Sequence, residues 1–189
     1  LEAADAMTMI REHAAEWHVD PDAIAVIGFS AGGHLAANLA TSTSDDVLVA
    51  HGYDPDAVRP NGLMLAYPVI TSGPLAHRGS FDSLLGERRN DSQALESVSI
   101  ERHIDAKTPP VFAWHTVPDE TVPYENTLML IDACKKAGVS IEAHLFPQGG
   151  HGPSLGTAET AWQGVNGIEP SIQIWPQLAV SWMRRTFAR

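Results

Sequence analysis

The sequence predicts an α/β fold: a mostly parallel sheet with helices packed on it. Three observations carry that expectation. Short runs rich in branched and aromatic residues at 24–27, 62–70 and 110–116 are predominantly apolar, as strands covered on both faces are. Stretches with apolar residues at helical spacing separate them. The order is therefore strand, helix, strand, excursion, strand, helix, strand, helix, which is that of a doubly wound sheet with right-handed crossovers. At 189 residues with 44% hydrophobic content, the chain can bury one sizeable core and is expected to be a single domain over 1–189.

Taken in order, residues 1–17 place Ala3, Met7, Ile10, Ala14 and Trp17 on one helical stripe, and Val19-Asp-Pro-Asp22 breaks it. The strand at 24–27 leads into a helix of small residues that opens at Gly32 and runs to about Thr41, where Ser, Thr and Asp mark a loop. Residues 51–60 are turn-rich, and Asp54 and Asp56 there lack the remaining oxygen spacing of a calcium loop. The strand at 62–70 ends near Pro68, which cannot donate to a ladder. Residues 71–110 read as an excursion from the sheet, with one apolar cluster at 81–86 and a helical patch at 92–98. After the strand at 110–116, residues 124–136 form an amphipathic helix with Leu128, Ile131, Ala133 and Cys134 inward. Lys135 and Lys136 suit its C-terminal dipole, and Gly138 ends it. Cys134 is expected as a packed small hydrophobe. The strand at 140–147 alternates, as a strand near an edge does, and residues 176–187 form the last helix with Leu178, Ala179, Trp182 and Met183 on one side.

The formal charge is −11, from 12 basic and 23 acidic residues with no basic run, which argues against a nucleic-acid or anionic-membrane surface. One cysteine allows no internal disulfide; that suits a reducing compartment such as the cytoplasm without establishing it. No apolar run reaches the roughly 20 residues that span a bilayer. Neither G-x-G-x-x-G nor G-x-x-x-x-G-K-[ST] is present, and no cofactor or metal is expected.

The chemistry centres on Gly28-Phe29-Ser30-Ala31-Gly32, a G-x-S-x-G pattern between the first strand and its helix. A strand that reverses directly into a helix forces its apex residue into strained angles. Glycines on either side are expected because side chains there would collide with the neighbouring elements. Such a turn lifts a serine hydroxyl clear of the sheet and sets helix N–H groups, first that of Ala31, beside whatever reacts with it. Phe29, His34 and Trp162 are candidates to line the pocket.

Serine becomes a nucleophile only when a base takes its proton, and that base needs a carboxylate to orient it. Of nine histidines, His13, His18, His51, His77, His103 and His144 have solvated or structural settings, while His34 and His115 are placed to line a pocket. His151 differs: it lies in Gln148-Gly-Gly-His151-Gly, just after the last strand, with no bulky neighbours. For the acid, the loop after the third strand offers Asp119, with Glu120 as its rival and a helix N-cap as its bland alternative. The chain order Ser30, Asp119, His151 is that of an α/β-hydrolase.

Beyond these, Gly28-Phe-Ser-Ala-Gly-Gly-His-Leu-Ala36, Leu65-Ala-Tyr-Pro-Val69, Ser83-Leu-Leu-Gly86, the run from Trp114 to Asn126, Lys136-Ala-Gly-Val139 and Gly149-Gly-His-Gly152 span nearly the whole chain. Together they resemble the esterase/lipase branch of the α/β-hydrolases that includes acetyl-xylan and feruloyl-type esterases. The resemblance implies a serine carboxylic-ester hydrolase with Ser30 as nucleophile, Asp119 as acid and His151 as base; the short excursion, with no large lid, leads to the expectation of small acyl groups, such as acetyl, on an alcohol or sugar, that is, a small-molecule or carbohydrate ester. Pro118, where many relatives carry a second acid, and Pro153, after the histidine loop, depart from the pattern.

That family draws a second oxyanion donor from a His-Gly-Gly loop after an earlier strand, and no such loop precedes Leu1 here. The sequence is therefore expected to be the C-terminal portion of a longer hydrolase lacking its N-terminal strands, or a protein whose second copy covers the edge at 24–27. A peptidase domain of the prolyl-oligopeptidase type and a non-catalytic binding module on the same fold are the rival readings. With histidine as base, activity is expected to rise through about pH 6 to 7.

Overall fold

The computed structural model describes residues 1–162 and 167–188. Helix α1 (Glu2–Glu12) leads to strand β1 (Ala25–Phe29), helix α2 (Ala31–Ala40), short helices α3 (Asp45–Ala50) and α4 (Pro55–Val58), and strand β2 (Gly62–Ala66). Helices α5 (Arg78–Leu85) and α6 (Ser92–Ser97) follow, then β3 (Val111–Thr116), α7 (Glu125–Ala137), β4 (Ile141–Phe146) and α8 (Trp175–Thr186).

The strands form one four-stranded sheet in the order β1-β2-β3-β4, every pair parallel. Side chains alternate across it, as a period of two requires. Leu63, Leu65, Val111 and Ala113 meet Ala36, Ala37 and Ala40 of α2 and Leu130 and Cys134 of α7 on one face. Met64, Ala66, Phe112 and Trp114 meet Trp175, Ala179 and Trp182 of α8 on the other. Each large side chain in these layers contributes about 1.5–3 kcal/mol by leaving water. Cys134 is fully buried, and burial pushes its thiol up to about 12, so it packs as a small hydrophobe.

The structure departs from the expected elements in four places. β1 runs over Ala25–Phe29, beyond the expected 24–27; among the described residues it pairs with β2 alone, which is the uncovered edge expected there and leaves Ile27 41% exposed. Helix α1 stops at Glu12; His18 at φ 56° turns the chain, leaving Trp17 exposed and stacked on His13. Leu128 is 39% exposed, because the buried face of α7 is Asn126, Thr127, Leu130 and Cys134. That face is partly polar for a reason: Asn126 Oδ1 accepts from the Ile70 and Thr71 N–H groups, and its amide donates to the Leu75 and Pro123 carbonyls. It ties the start of the excursion to α7. Finally, residues 42–61 are largely helical, since Leu48 and Val58 pack with Ala4 and Met7 in a satellite core beside β1.

Candidate active site

β1 passes into α2 without a loop. Phe29 ends the strand, Ala31 begins the helix, and Ser30 alone makes the reversal at φ 53°, ψ −120°. A residue with a side chain in such a region stores about 1–3 kcal/mol of strain, and its surroundings must hold it there. Ser30 N–H donates to Ala66 O at 2.9 Å, and Ser30 O accepts from Gly33, His34 and Val69 N–H at 3.0, 3.3 and 3.2 Å.

The glycines divide differently from the steric expectation. A Cβ on Gly28 would lie 2.2 Å from Gly32 O, so strand and helix approach too closely there for any side chain. A Cβ on Gly32 meets nothing within 4 Å, and the second tight position is Gly33, whose Cβ would lie 2.9 Å from Pro68 Cβ. The motif's second glycine is therefore not needed for space; its neighbour is.

Asp119 sits in the turn after β3 with its side chain out of solvent, while Glu120 is exposed. Its Oδ1 accepts from Thr121 and Val122 N–H, each at 2.9 Å. Its Oδ2 lies 2.7 Å from His151 Nδ1 and 3.2 Å from His115 Nε2. Burial by itself would raise this carboxyl's pKa. The hydrogen bonds from His115, His151 and the Val122 N–H, with the His151 charge, outweigh burial and hold the group well below the usual carboxylate range.

His151 Nε2 lies 2.7 Å from Ser30 Oγ. Gly149 at φ 98° and Gly152 at φ 77° shape its loop, and Thr116 Oγ1 donates to Gly150 O at 3.0 Å. The Tyr67 ring meets the imidazole edge-on at 5.2 Å. After Pro153 the chain folds back, with Gly156 N–H on Pro153 O at 2.8 Å and Trp175 Nε1 donating to Ser154 O at 2.9 Å, so the departure at Pro153 ties the histidine loop to α8.

The structure thus brings Ser30, His151 and Asp119 into one hydrogen-bonded line. Ala31 occupies the first position of α2, whose leading N–H groups have no carbonyl partner within the helix. Phe29 packs against Tyr67 and Trp175, behind the serine. Trp162 is 43% exposed and lines a recess of about 320 Å³ with His151, Pro153 and Glu169. His34 does not join the group: its Nε2 meets Val98 O at 2.7 Å and its ring sits edge-on to Phe81, facing the excursion. His115 lines no opening either, being fully buried behind Asp119. Sequence reasoning assigned Tyr67 no role; its φ of 38°, which turns it towards the histidine, has no signature in the residue type. Among the described residues no group of three or more His, Cys, Asp or Glu is placed to hold a metal ion, and no helix is long and apolar enough to cross a membrane.

A serine at a strand-to-helix reversal, in line with an imidazole and a buried carboxylate at the carboxyl ends of parallel strands, is the arrangement of the α/β-hydrolases. Within that class the chain belongs to the BD-FAE family, whose model matches residues 2–133. It is 34% identical over 161 residues to endo-1,4-beta-xylanase B of Butyrivibrio fibrisolvens, covering 84% of this chain and 25% of that protein. It is 30% identical over 153 residues to an acetylxylan esterase of Xylanibacter ruminicola, covering 79% and 30%. The crystal structure of an acetyl ester-xyloside bifunctional hydrolase from Caldicellulosiruptor lactoaceticus superposes with a TM-score of 0.78 at 36% identity, covering 97% of this chain and 64% of that one. The chain thus spans less than a third of these curated relatives and about two thirds of that solved neighbour.

Proposed function

We propose that this chain carries the catalytic centre of a serine carboxylic-ester hydrolase working through an acyl-enzyme. The observation that supports the reading above all others is the line Ser30 Oγ, His151 Nε2, His151 Nδ1, Asp119 Oδ2, with both links at 2.7 Å. In this reading His151 takes the Ser30 proton as the oxygen attacks the acyl carbon. Asp119 holds the imidazole tautomer with Nδ1 protonated, and stays ionised while the imidazolium forms. The Ala31 N–H is the donor this chain offers the tetrahedral oxyanion. His151 then protonates the departing alcohol, and a water activated by the same nitrogen releases the acid and restores the serine.

The substrates we propose are short acyl groups, acetyl-like, on small alcohols or sugars. Two observations support this. The relatives include an acetylxylan esterase and an acetyl ester-xyloside hydrolase. The recess beside His151, from which a departing alcohol must take its proton, combines an exposed indole with the Glu169 carboxylate, a pairing of apolar face and acceptor that suits a hydroxylated ring.

A fluorophosphonate probe followed by intact-mass measurement tests the reading. One adduct per chain, absent in Ser30→Ala, together with hydrolysis of p-nitrophenyl acetate, is the expected result. A folded chain that takes no adduct would refute it.

A further inference from the structure

We infer that His115 is a positioning residue for this site: its Nε2–H donates to the same Asp119 oxygen that receives His151, fixing the carboxylate as an orienter of the imidazole. The kinetic part of the inference rests on the hydrolase reading above; the geometric part does not.

His115 is fully buried on β3, four residues before Asp119. Its Nε2 faces two acceptors, Val122 O at 2.9 Å and Asp119 Oδ2 at 3.2 Å, which assigns the proton to that nitrogen. Its Nδ1 lies 2.8 Å from the hydroxyl of Thr127, a buried residue of α7, which donates to it in the neutral ring. The ring is therefore locked as one tautomer between α7 and the acid turn, with a single N–H shared between the Val122 carbonyl at 2.9 Å and the Asp119 carboxylate at 3.2 Å. With Thr121 and Val122 N–H on Oδ1, His151 on Oδ2 and the shared N–H of His115 facing Oδ2, Asp119 has three full donors and a fourth in reach, about the capacity of a carboxylate. An apolar residue could fill the space of His115 but would leave Oδ2 with one donor.

Two consequences follow. Each N–H on the carboxylate spreads its charge and lowers its proton affinity, so losing one concentrates charge on Oδ2 and favours the imidazolium of His151. Losing one also frees the carboxylate to turn, which loosens the imidazole. The other groups facing His151 are the Ser30 hydroxyl, Glu169 across the recess, and Tyr67, whose hydroxyl burial pushes up to about 12 and keeps neutral. None of these is altered in the variants below.

The test compares His115→Leu, which removes the donor, with His115→Gln, which returns an N–H near the Nε2 position, and Thr127→Val, which unlocks the tautomer at constant volume. The readouts are the pH profile of kcat/KM on p-nitrophenyl acetate and the downfield proton resonance of the His151–Asp119 hydrogen bond, which needs no turnover. In His115→Leu the ascending limb is expected to move up by about half a pH unit, with kcat down about tenfold and KM unchanged, and the resonance to shift. His115→Gln should recover most of both, and Thr127→Val should shift both in the same direction by less. An ascending limb and a resonance at their wild-type positions in His115→Leu would show that His115 only fills the core. If His115→Leu does not fold, unmoved readouts in Thr127→Val overturn the inference. A wild-type chain that takes no fluorophosphonate adduct, while His115→Leu still shifts the resonance, would sink the hydrolase reading and leave the positioning role standing.

Discussion

The two glycines of the reversal allow a paired prediction in which the same methyl group has opposite effects. At position 28 it would lie 2.2 Å from Gly32 O, 2.6 Å from Gly32 C and 2.7 Å from Gly33 Cα. All three are backbone atoms of the first turn of α2, so relief requires the helix to lift or β1 to bend. Overpacking costs about 1–3 kcal/mol, and three rigid overlaps at once place Gly28→Ala near about 3 kcal/mol. At position 32 the methyl meets nothing within 4 Å. Replacing a helical glycine by alanine there stabilises by about 0.5–1 kcal/mol. With about 2–4 °C per kcal/mol for a chain of this size, Gly28→Ala should melt about 6–12 °C below wild type and Gly32→Ala about 1–4 °C above it. Thermal unfolding followed by circular dichroism, checked by urea midpoints, reads both. A Gly28→Ala protein melting with the wild type, or a Gly32→Ala protein melting several degrees below it, would refute the assignment of steric demand to positions 28 and 33.

Three further outcomes follow from the site. Asp119→Asn should lower kcat by about 10⁴-fold, because an amide facing Nδ1 favours the wrong imidazole tautomer; active-site titration beside steady-state rates checks it, and a loss under tenfold would count against Asp119 as the acid. Asp119 is held below the unfolded carboxylate value of about 3.9, so the stability it contributes is full above that value and is lost as pH falls below it; urea midpoints should fall from pH 5 to 3 in the wild type and fall less in Asp119→Asn. Ser30→Gly should abolish adduct formation yet raise stability by about 1 kcal/mol, since glycine adopts φ 53° without strain; a urea midpoint below wild type would show that the serine is not strained.

Much of this arrangement is legible in the residues, and the limits are physical. β2 and β3 are buried on both faces and lie inside the sheet, so their largely apolar runs mark them directly. β1 has the same kind of residues but sits at an edge; its composition does not tell the two apart, and the expectation of an edge comes from the family's missing earlier loop instead. Ser30 and His151 are visible because glycines surround them, and Asp119 because a short acid in a proline-flanked turn stands out beside the exposed Glu120. Leu128 misled because an amphipathic pattern assumes an apolar buried face, whereas α7 buries Asn126 and Thr127 to satisfy backbone and ring nitrogens. His34 and His115 look equivalent in sequence, each beside a strand end; only tertiary partners separate a ring turned to Val98 O from one held against Asp119.

The register of the sheet explains why these residues meet. Phe29 pairs with Ala66 and Ala66 with Trp114, so the ends of β1 and β2 stand level with Trp114 of β3, which runs on to Thr116 beside β4. The next residue on each strand is then Ser30, Tyr67 and His115, and the ladder reaches past the strand ends through Ser30 N–H on Ala66 O and Tyr67 N–H on Trp114 O, at 2.9 and 2.7 Å. One row across the sheet, just past the ends of β1 and β2 and within the last two residues of β3, supplies the hydroxyl, the ring that buttresses His151 and the donor that steadies Asp119. Only the carboxylate and the imidazole come from loops, and each is fastened back to that row, Asp119 by His115 and His151 by Tyr67 and by Thr116 through Gly150. The rigid part of the site is therefore the sheet. A loop substitution that loosens either fastening should disarm Ser30 well before it unfolds the chain, because Asp119 and His151 themselves stand on loops after β3 and β4, whereas the partners that hold them, His115, Thr116 and Tyr67, are buried with the sheet.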